Sequence, residues 1–268
     1  MSERIKQIIK NFLRNPFAFL WRQVSRVLFF WPFQLVVFIM SLLNPGSKTP
    51  NNKEPFSFCF IITSVIYSKQ GTIQYNSPRT VFSPEDRALQ TIETVKSIRA
   101  KVPGAKIVLV ESGMREDLPH ELHKQVDQYI YVGNKKPVRF ACDSQYKSLG
   151  EIMMLVYALK RFKVVADFYF KISGRYYLDD QFAINDWKQG LFLLQYIQED
   201  YICTRLYGFR AEAFNTWKYA LLKSIPLALA GYAVENTLAK YIPRNQVHRL
   251  EKLGVMGIGA SSNTVAKD

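Results

Sequence analysis

Beyond residue 55 the apolar positions fall into short runs that alternate with amphipathic stretches, the pattern of strands and helices taken in turn. Phe56–Tyr67 (FSFCFIITSVIY) is β-branched and aromatic, fit for a central strand buried on both faces. A polar loop, Gly71–Val81, follows it. Ser83-Pro84-Glu85-Asp86 then supplies an N-cap, a proline at the first helical position and two acids in the first turn. A helix is predicted from there, with Leu89, Ile92, Val95 and Ile98 as its apolar stripe and Pro103-Gly104 as its stop. Lys106–Val110 (KIVLV) reads as the next parallel strand and ends at Glu111-Ser112-Gly113, which completes a βαβ pattern.

The alternation continues with a short helix near Leu118–Val126 and a strand near Tyr129–Val132, while Gly133–Lys147 reads as a loop with a basic tip. Another helix is predicted from Ser148, its cap, with Gly150-Glu151 in the first turn and Leu149, Ile152, Val156 and Leu159 on the buried face. The stretch Asp167–Asp180 (DFYFKISGRYYLDD) then carries a strand-length apolar run, Phe168–Ile172, that stops abruptly at Ser173-Gly174-Arg175. Gly190–Ile197 and Tyr201–Phe209 look like two strands of a hairpin over one sheet edge, joined by Gln198-Glu199-Asp200. Helices near Ala211–Leu222 and Leu227–Ile242, an apolar patch at Leu253–Ile258 and a polar tail close the chain. The fold class is therefore α/β, a Rossmann-type, mostly parallel sheet flanked by helices.

The first fifty residues follow a different pattern. Met1–Arg26 holds Arg4, Lys6, Lys10, Arg14, Arg22 and Arg26 against one acid, Glu3, with Ile5, Ile8, Ile9, Phe12 and Leu13 at helical spacing. This is a basic amphipathic helix. Val27–Leu43 is free of charge but only seventeen residues long, and Pro32 and Gln34 interrupt it, so it stands at the lower limit for crossing a bilayer. Three readings stay open: a transmembrane anchor, a helix or helical hairpin lying in one leaflet, or a helical cap on the folded domain. Asn44–Glu54 (NPGSKTPNNKE) has linker composition. The expected organisation is a membrane-associated segment over 1–45, a linker over 46–54 and one α/β domain over 55–268.

Charge narrows the partners. A formal net charge of +14 implies an anionic partner: nucleic acid, anionic lipid or a phosphorylated small molecule. Nucleic acid ranks lowest, because the chain has no C2H2 spacing, no RNP1-like motif and no long Lys/Arg run. Cys59, Cys142 and Cys203 are too widely spaced to suggest a disulfide framework or a zinc site. His120, His123 and His248 form no metal spacing and no triad pattern.

In open α/β sheets ligands bind beyond the carboxyl ends of the strands, so the residues there are the candidates for chemistry. Neither GxGxxG nor GxxxxGK[ST] is present, which argues against a standard dinucleotide or P-loop site. A nucleotide-sugar site needs neither. It needs a pocket for the base, a device to neutralise the diphosphate leaving group and a carboxylate to activate the acceptor hydroxyl. Thr63, Ser64 and Glu111 stand where base and ribose would lie, or are ordinary strand-end hydrogen-bonders. Arg79, Lys171 and Arg175, the last in the turn Ser173-Gly174-Arg175, are the candidates for the diphosphate. Asp179 and Asp180 could hold a divalent cation, Mn or Mg, although adjacent acids on a strand point to opposite faces. Glu235 is the candidate base, since between Pro226 and Ile242 it and Lys240 are the only charges.

The ordered set FCFIITSVIY, YNSPRTVFSPEDRALQTIETVKSIRAKVPGAKIVLVESG, SLGE, FKISGRYYL, AVENTL and LGVMG resembles a group of bacterial glycosyltransferase-like proteins of surface polysaccharide or lipopolysaccharide core biosynthesis. It is more distantly similar to the WavE-type group. The resemblance covers about residues 56 to 260. It implies a GT-A-like fold, a nucleotide-sugar donor and a glycan or lipid-linked acceptor. Where GT-A enzymes commonly carry Asp-x-Asp at the end of the central strand, this chain has Ser-Gly-Arg, with Asp179-Asp180 following later. The resemblance therefore leaves metal dependence open.

The function expected is hexosyltransferase-type transfer from a nucleotide sugar, at the cytoplasmic face of the bacterial inner membrane, with the basic N-terminal helix on an anionic surface. A non-catalytic membrane-bound scaffold that retains a nucleotide-binding fold is the alternative from a different class. A nucleotidyltransferase would share the fold type but lacks here a Gly-rich, Lys-containing loop after the first strand.

Overall fold

The computed structural model describes residue 24 and residues 56–71, 78–259 and 265–267. The membrane-associated segment expected over 1–45 and the linker over 46–54 lie, residue 24 apart, outside the described residues. Among the described residues no helix is long and apolar enough to cross a membrane.

The chain runs β1 (Phe58–Ser64), α1 (Pro84–Lys101), β2 (Lys106–Glu111), α2 (His120–Gln125), β3 (Gln128–Tyr131), α3 (Lys136–Asp143), α4 (Lys147–Leu159) and β4 (Phe168–Ser173). Then come β5 (Tyr176–Leu178), β6 (Phe192–Leu194), β7 (Tyr196–Gln198), β8 (Tyr201–Ile202) and β9 (Leu206–Arg210). Helices α5 (Phe214–Leu229) and α6 (Val234–Tyr241) and strands β10 (Val247–Arg249), β11 (Val255–Ile258) and β12 (Val265–Lys267) finish it. The central sheet has seven strands in the order β10-β6-β9-β4-β1-β2-β3. Strands β4, β1, β2 and β3 are mutually parallel, β9 is antiparallel to both β4 and β6, and β10 is parallel to β6. One reversed strand thus sits in an otherwise parallel sheet.

Strand pleating divides the core in two. On β1, Cys59 and Ile61 face the layer of α4, α5 and α6, while Phe60 and Ile62 face the other side with Ile92, Val95 and Ile98 of α1. On β4, Phe168, Phe170 and Ile172 join the α1 side, where the rings of Phe60 and Phe170 stack 4.3 Å apart. Truncating such a buried ring to Ala costs about 3–5 kcal/mol. The alternation turns Tyr169 and Lys171 toward α4, α5 and α6. That places one cation in an otherwise apolar layer, where it must find a partner.

Four expectations are corrected. The segment read as a loop over Gly133–Lys147 contains α3, which opens with Pro137 in its first turn. The break expected between the helices near Ala211–Leu222 and Leu227–Ile242 falls later: Pro226 lies inside α5, and the chain leaves that helix through Gly231 at φ 86°. Ser148 does not cap its own helix; its hydroxyl accepts from the Val234 N–H, so it caps α6 and binds the starts of α4 and α6 together. The expected edge hairpin is split: β7 and β8 form a separate two-stranded piece, and β9 inserts between β4 and β6. The patch at Leu253–Ile258 contains β11, which pairs antiparallel with β5 and so clamps the chain just after Arg175.

Candidate functional site

Because β1, β2 and β4 are parallel, their carboxyl ends share one edge, and the register sets Thr63 beside Ser173 and Ser64 beside Glu111. A groove of about 800 Å³, open mouth included, lies over this edge. Helix periodicity supplies its walls: Arg87 and Thr91 lie four apart on α1, and Lys147, Gly150, Glu151 and Met154 follow at spacings of three, four and seven on α4.

The structure brings Thr63, Ser64, Arg79, Ser173, Gly174 and Arg175 of the expected set to this groove. Ser64 and Thr91 share a hydroxyl hydrogen bond of 3.2 Å, and Thr91 donates to the Gly174 carbonyl. The glycine answers a close approach: a Cβ there would meet the Thr91 hydroxyl at 3.1 Å and the Thr63 carbonyl at 3.3 Å. The Gly174 N–H donates to Thr63 O, so the turn is tied down on β1.

Other expected residues are spent on the protein itself. Glu111, 1% exposed, lies beneath the floor and accepts the N–H groups of Ile66 and Gly113. Burial pushes its carboxyl above the ordinary range, against the lowering effect of hydrogen bonds from Ser64, Gly113 and Ile66. It holds the loop after β1 and is not placed to meet a ribose. Arg79 donates from both terminal nitrogens to the Cys142 and Ser144 carbonyls at the end of α3. Lys171, 1% exposed, pairs with Glu151 and donates to the Thr204 carbonyl.

The paired acids lie elsewhere. The Asp179 carboxylate caps its own turn by accepting the Gln181 N–H, and Asp180, wholly exposed, pairs with Lys101. Neither lines the groove, and among the described residues no group of three or more His, Cys, Asp or Glu side chains could hold a metal ion. These residues do not fit a cation that bridges phosphates.

Glu235 stands in the first turn of α6 and accepts a hydrogen bond from Thr204, 3.0 Å away. Burial first, and then the like charge of Glu151, push its carboxyl above the ordinary range. Glu151, half-buried, lines the groove itself. Glu235 is not among the residues that line the groove, but it lies near enough to Glu151 for the two charges to interact, with Lys171 paired to Glu151 and Thr204 hydrogen-bonded to Glu235.

Arg87, Arg139, Lys147 and Glu151 also line the groove and went unsingled in the sequence. Their signal is a polar residue at a helix position that an apolar stripe would fill, as Arg87 and Thr91 are on α1. Arg139 is internally satisfied, since it chelates Asp143 and donates to Ser112 O. Arg87 is different. Its Nη1 donates to Thr80, its Nε is buried without a hydrogen-bond partner, and burial with the nearby Arg175 lowers its guanidinium to about 10. Lys147 is open to solvent at the mouth yet enclosed by protein on its other sides; partial desolvation and Arg175 pull its ammonium down to about 8.

No protein-family model matches the chain, and no curated protein matches it. Solved structures do. The galactosyltransferase LgtC in complex with donor and acceptor sugar analogs is 11% identical over 71% of this chain and 72% of that one, with a TM-score of 0.42. An active-site mutant of LgtC gives 10% identity, coverage of 71% and 72%, and a TM-score of 0.43. A protein described as a nucleotide-diphospho-sugar transferase from Desulfovibrio desulfuricans gives 15% identity over 73% of this chain and 80% of that one, with a TM-score of 0.41. At such identities and scores the function has to be argued from the groove itself.

Proposed function

We propose that the chain is a glycosyltransferase of GT-A-like fold that moves a sugar from a nucleotide-sugar donor to a glycan or lipid-linked acceptor. One observation carries the reading: the groove at the strand ends gathers Arg87, Lys147 and Arg175 and is also lined by Glu151, whose charge reaches Glu235. The cations suit a departing diphosphate, and the carboxylates suit an acceptor hydroxyl.

In this reading the acceptor oxygen forms a bond to the anomeric carbon as the bond from that carbon to the diphosphate oxygen breaks. The acceptor proton passes to Glu235, whose raised pKa suits it to a proton taken near neutral pH, and the nucleoside diphosphate leaves with the electron pair. Arg175, held in the turn between β4 and β5, stabilises the charge on the leaving group. Thr63 and Ser64 lie at the β1 end where the nucleoside would rest. No step calls for a metal at Asp179 and Asp180.

The finer reading follows from the resemblance and from the first fifty residues. A hexosyl donor, a bacterial surface glycan or lipopolysaccharide acceptor and a place at the cytoplasmic face of the inner membrane fit a basic amphipathic N-terminus near an anionic leaflet. The test is calorimetric titration with UDP-, GDP-, CMP- and dTDP-sugars, with and without Mn²⁺ or Mg²⁺. Saturable binding of one donor supports transfer; binding of none leaves the scaffold alternative standing and the transferase reading without support.

A further inference from the structure

We infer that Arg87 and Lys147 join Arg175 in a phosphate subsite that holds the diphosphate of the donor through protein cations alone; this rests on the nucleotide-sugar reading of the groove. The argument is an accounting of donors. Besides these three, the basic groups around the groove are Lys69, exposed on the loop after β1, and Arg79, Arg139 and Lys171, whose donors are engaged apart from Arg79 Nε. Arg79 gives both terminal nitrogens to carbonyls of Cys142 and Ser144, Arg139 chelates Asp143, and Lys171 is paired with Glu151. They build the walls.

The other three keep donors in reserve. Arg87 Nε and Arg175 Nη1 are buried and have no hydrogen-bond partner, although buried polar atoms are nearly always paired. Lys147 makes no hydrogen bond among the described residues, and it faces Arg175 and Arg87 as well as Glu151 and Glu235. Three cations gathered within reach of one another repel, and each would be better placed with an anion between them. The backbone agrees in part: α4 is thirteen residues long, has no side-chain cap at its start and carries no acid in its first turn, and while the Leu149 and Gly150 N–H groups donate to the Tyr146 carbonyl, those of Lys147 and Ser148 stay available to an oxyanion. A diphosphate supplies the charge and the several acceptor oxygens that this set of donors asks for.

The test uses the full-length chain and inorganic pyrophosphate, UDP and GDP as probes, titrated calorimetrically in EDTA and then with Mg²⁺ or Mn²⁺. Binding in EDTA, competition between pyrophosphate and the nucleotide, and a loss of at least about tenfold in Arg87→Gln and in Lys147→Met are expected. Lys147 is exposed, so its variant keeps the test valid if Arg87→Gln fails to fold. A nucleotide that binds only with the divalent ion, or that binds both variants as it binds the native chain, overturns the subsite while leaving the transferase reading intact. Pyrophosphate binding without binding of any nucleotide supports the subsite and counts against that reading.

Discussion

Lys171 reaches from the floor of the sheet to the carboxylate of Glu151, so an ion pair stands between the core and the groove. Lys171 is 1% exposed and its partner is open at one side. The pair is therefore asymmetric. Glu151→Met removes the acceptor and leaves a buried ammonium held by the Thr204 carbonyl and the Tyr207 ring face, and the loss expected is about 3–5 kcal/mol. Lys171→Met leaves a carboxylate that the groove can hydrate and should cost less. Denaturant unfolding of both variants and of the double variant checks this, with the double variant recovering part of the summed loss.

Lys147 ties anion binding and stability to pH in opposite directions. Its folded-state pKa, about 8, lies below its unfolded value, so between the two the unfolded chain binds more protons and stability rises with pH through that window. Affinity for pyrophosphate or UDP should instead fall as the ammonium is lost above about 8. Melting and titration series across pH 7 to 10 should show both slopes in the native chain and neither of these contributions in Lys147→Met.

Glu235 acts with the reverse sign. Its folded-state pKa is raised by burial and by Glu151, so the folded chain holds the proton longer, and this contribution to stability is lost as pH rises through the raised pKa. Glu235→Gln should be more stable than the native chain at neutral pH and should transfer no sugar. Thr204→Val removes a hydrogen bond that favours the carboxylate, so the acid limb of the transfer rate should move to higher pH.

Gly174→Ala adds a Cβ against the Thr91 hydroxyl, the Ile62 side chain and the Thr63 carbonyl, all within 3.1 to 3.3 Å. The neighbours have to shift by a few tenths of an ångström. A loss of about 1–3 kcal/mol in unfolding, together with weakened nucleotide binding as the following Arg175 moves, is the expected outcome.

The sheet was legible in the sequence because its parallel strands are buried on both faces and read as apolar runs; the runs within Phe56–Tyr67, Lys106–Val110 and Phe168–Ile172 overlap β1, β2 and β4. From those ends the turn at Ser173-Gly174-Arg175 followed directly. The helices were less legible where a single residue admits two roles. Ser148 has the chemistry of a cap, yet it caps the neighbouring helix, and only the fold brings Val234 to it. Pro137 marks the start of α3 as a first-turn proline should, but its buried face, Val138, Ala141 and Cys142, is short and is interleaved with Lys136 and Arg139. The site divides in the same way: residue type announces a cation or an acid, whereas the partner decides its use. Arg79 and Arg87 are alike in sequence, yet Arg79 gives both terminal nitrogens to carbonyls at the end of α3, whereas Arg87 gives one to the Thr80 hydroxyl. Asp179 and Asp180 looked like metal ligands until the fold carried them away from the groove.

The central claim is most directly tested by calorimetry of nucleotide sugars against the native chain and Arg175→Ala, with circular dichroism and melting to show that the variant is folded. The account predicts that one donor binds the native chain saturably and binds folded Arg175→Ala at least about tenfold more weakly. Equal binding by the two proteins, or no donor bound by either, would contradict it.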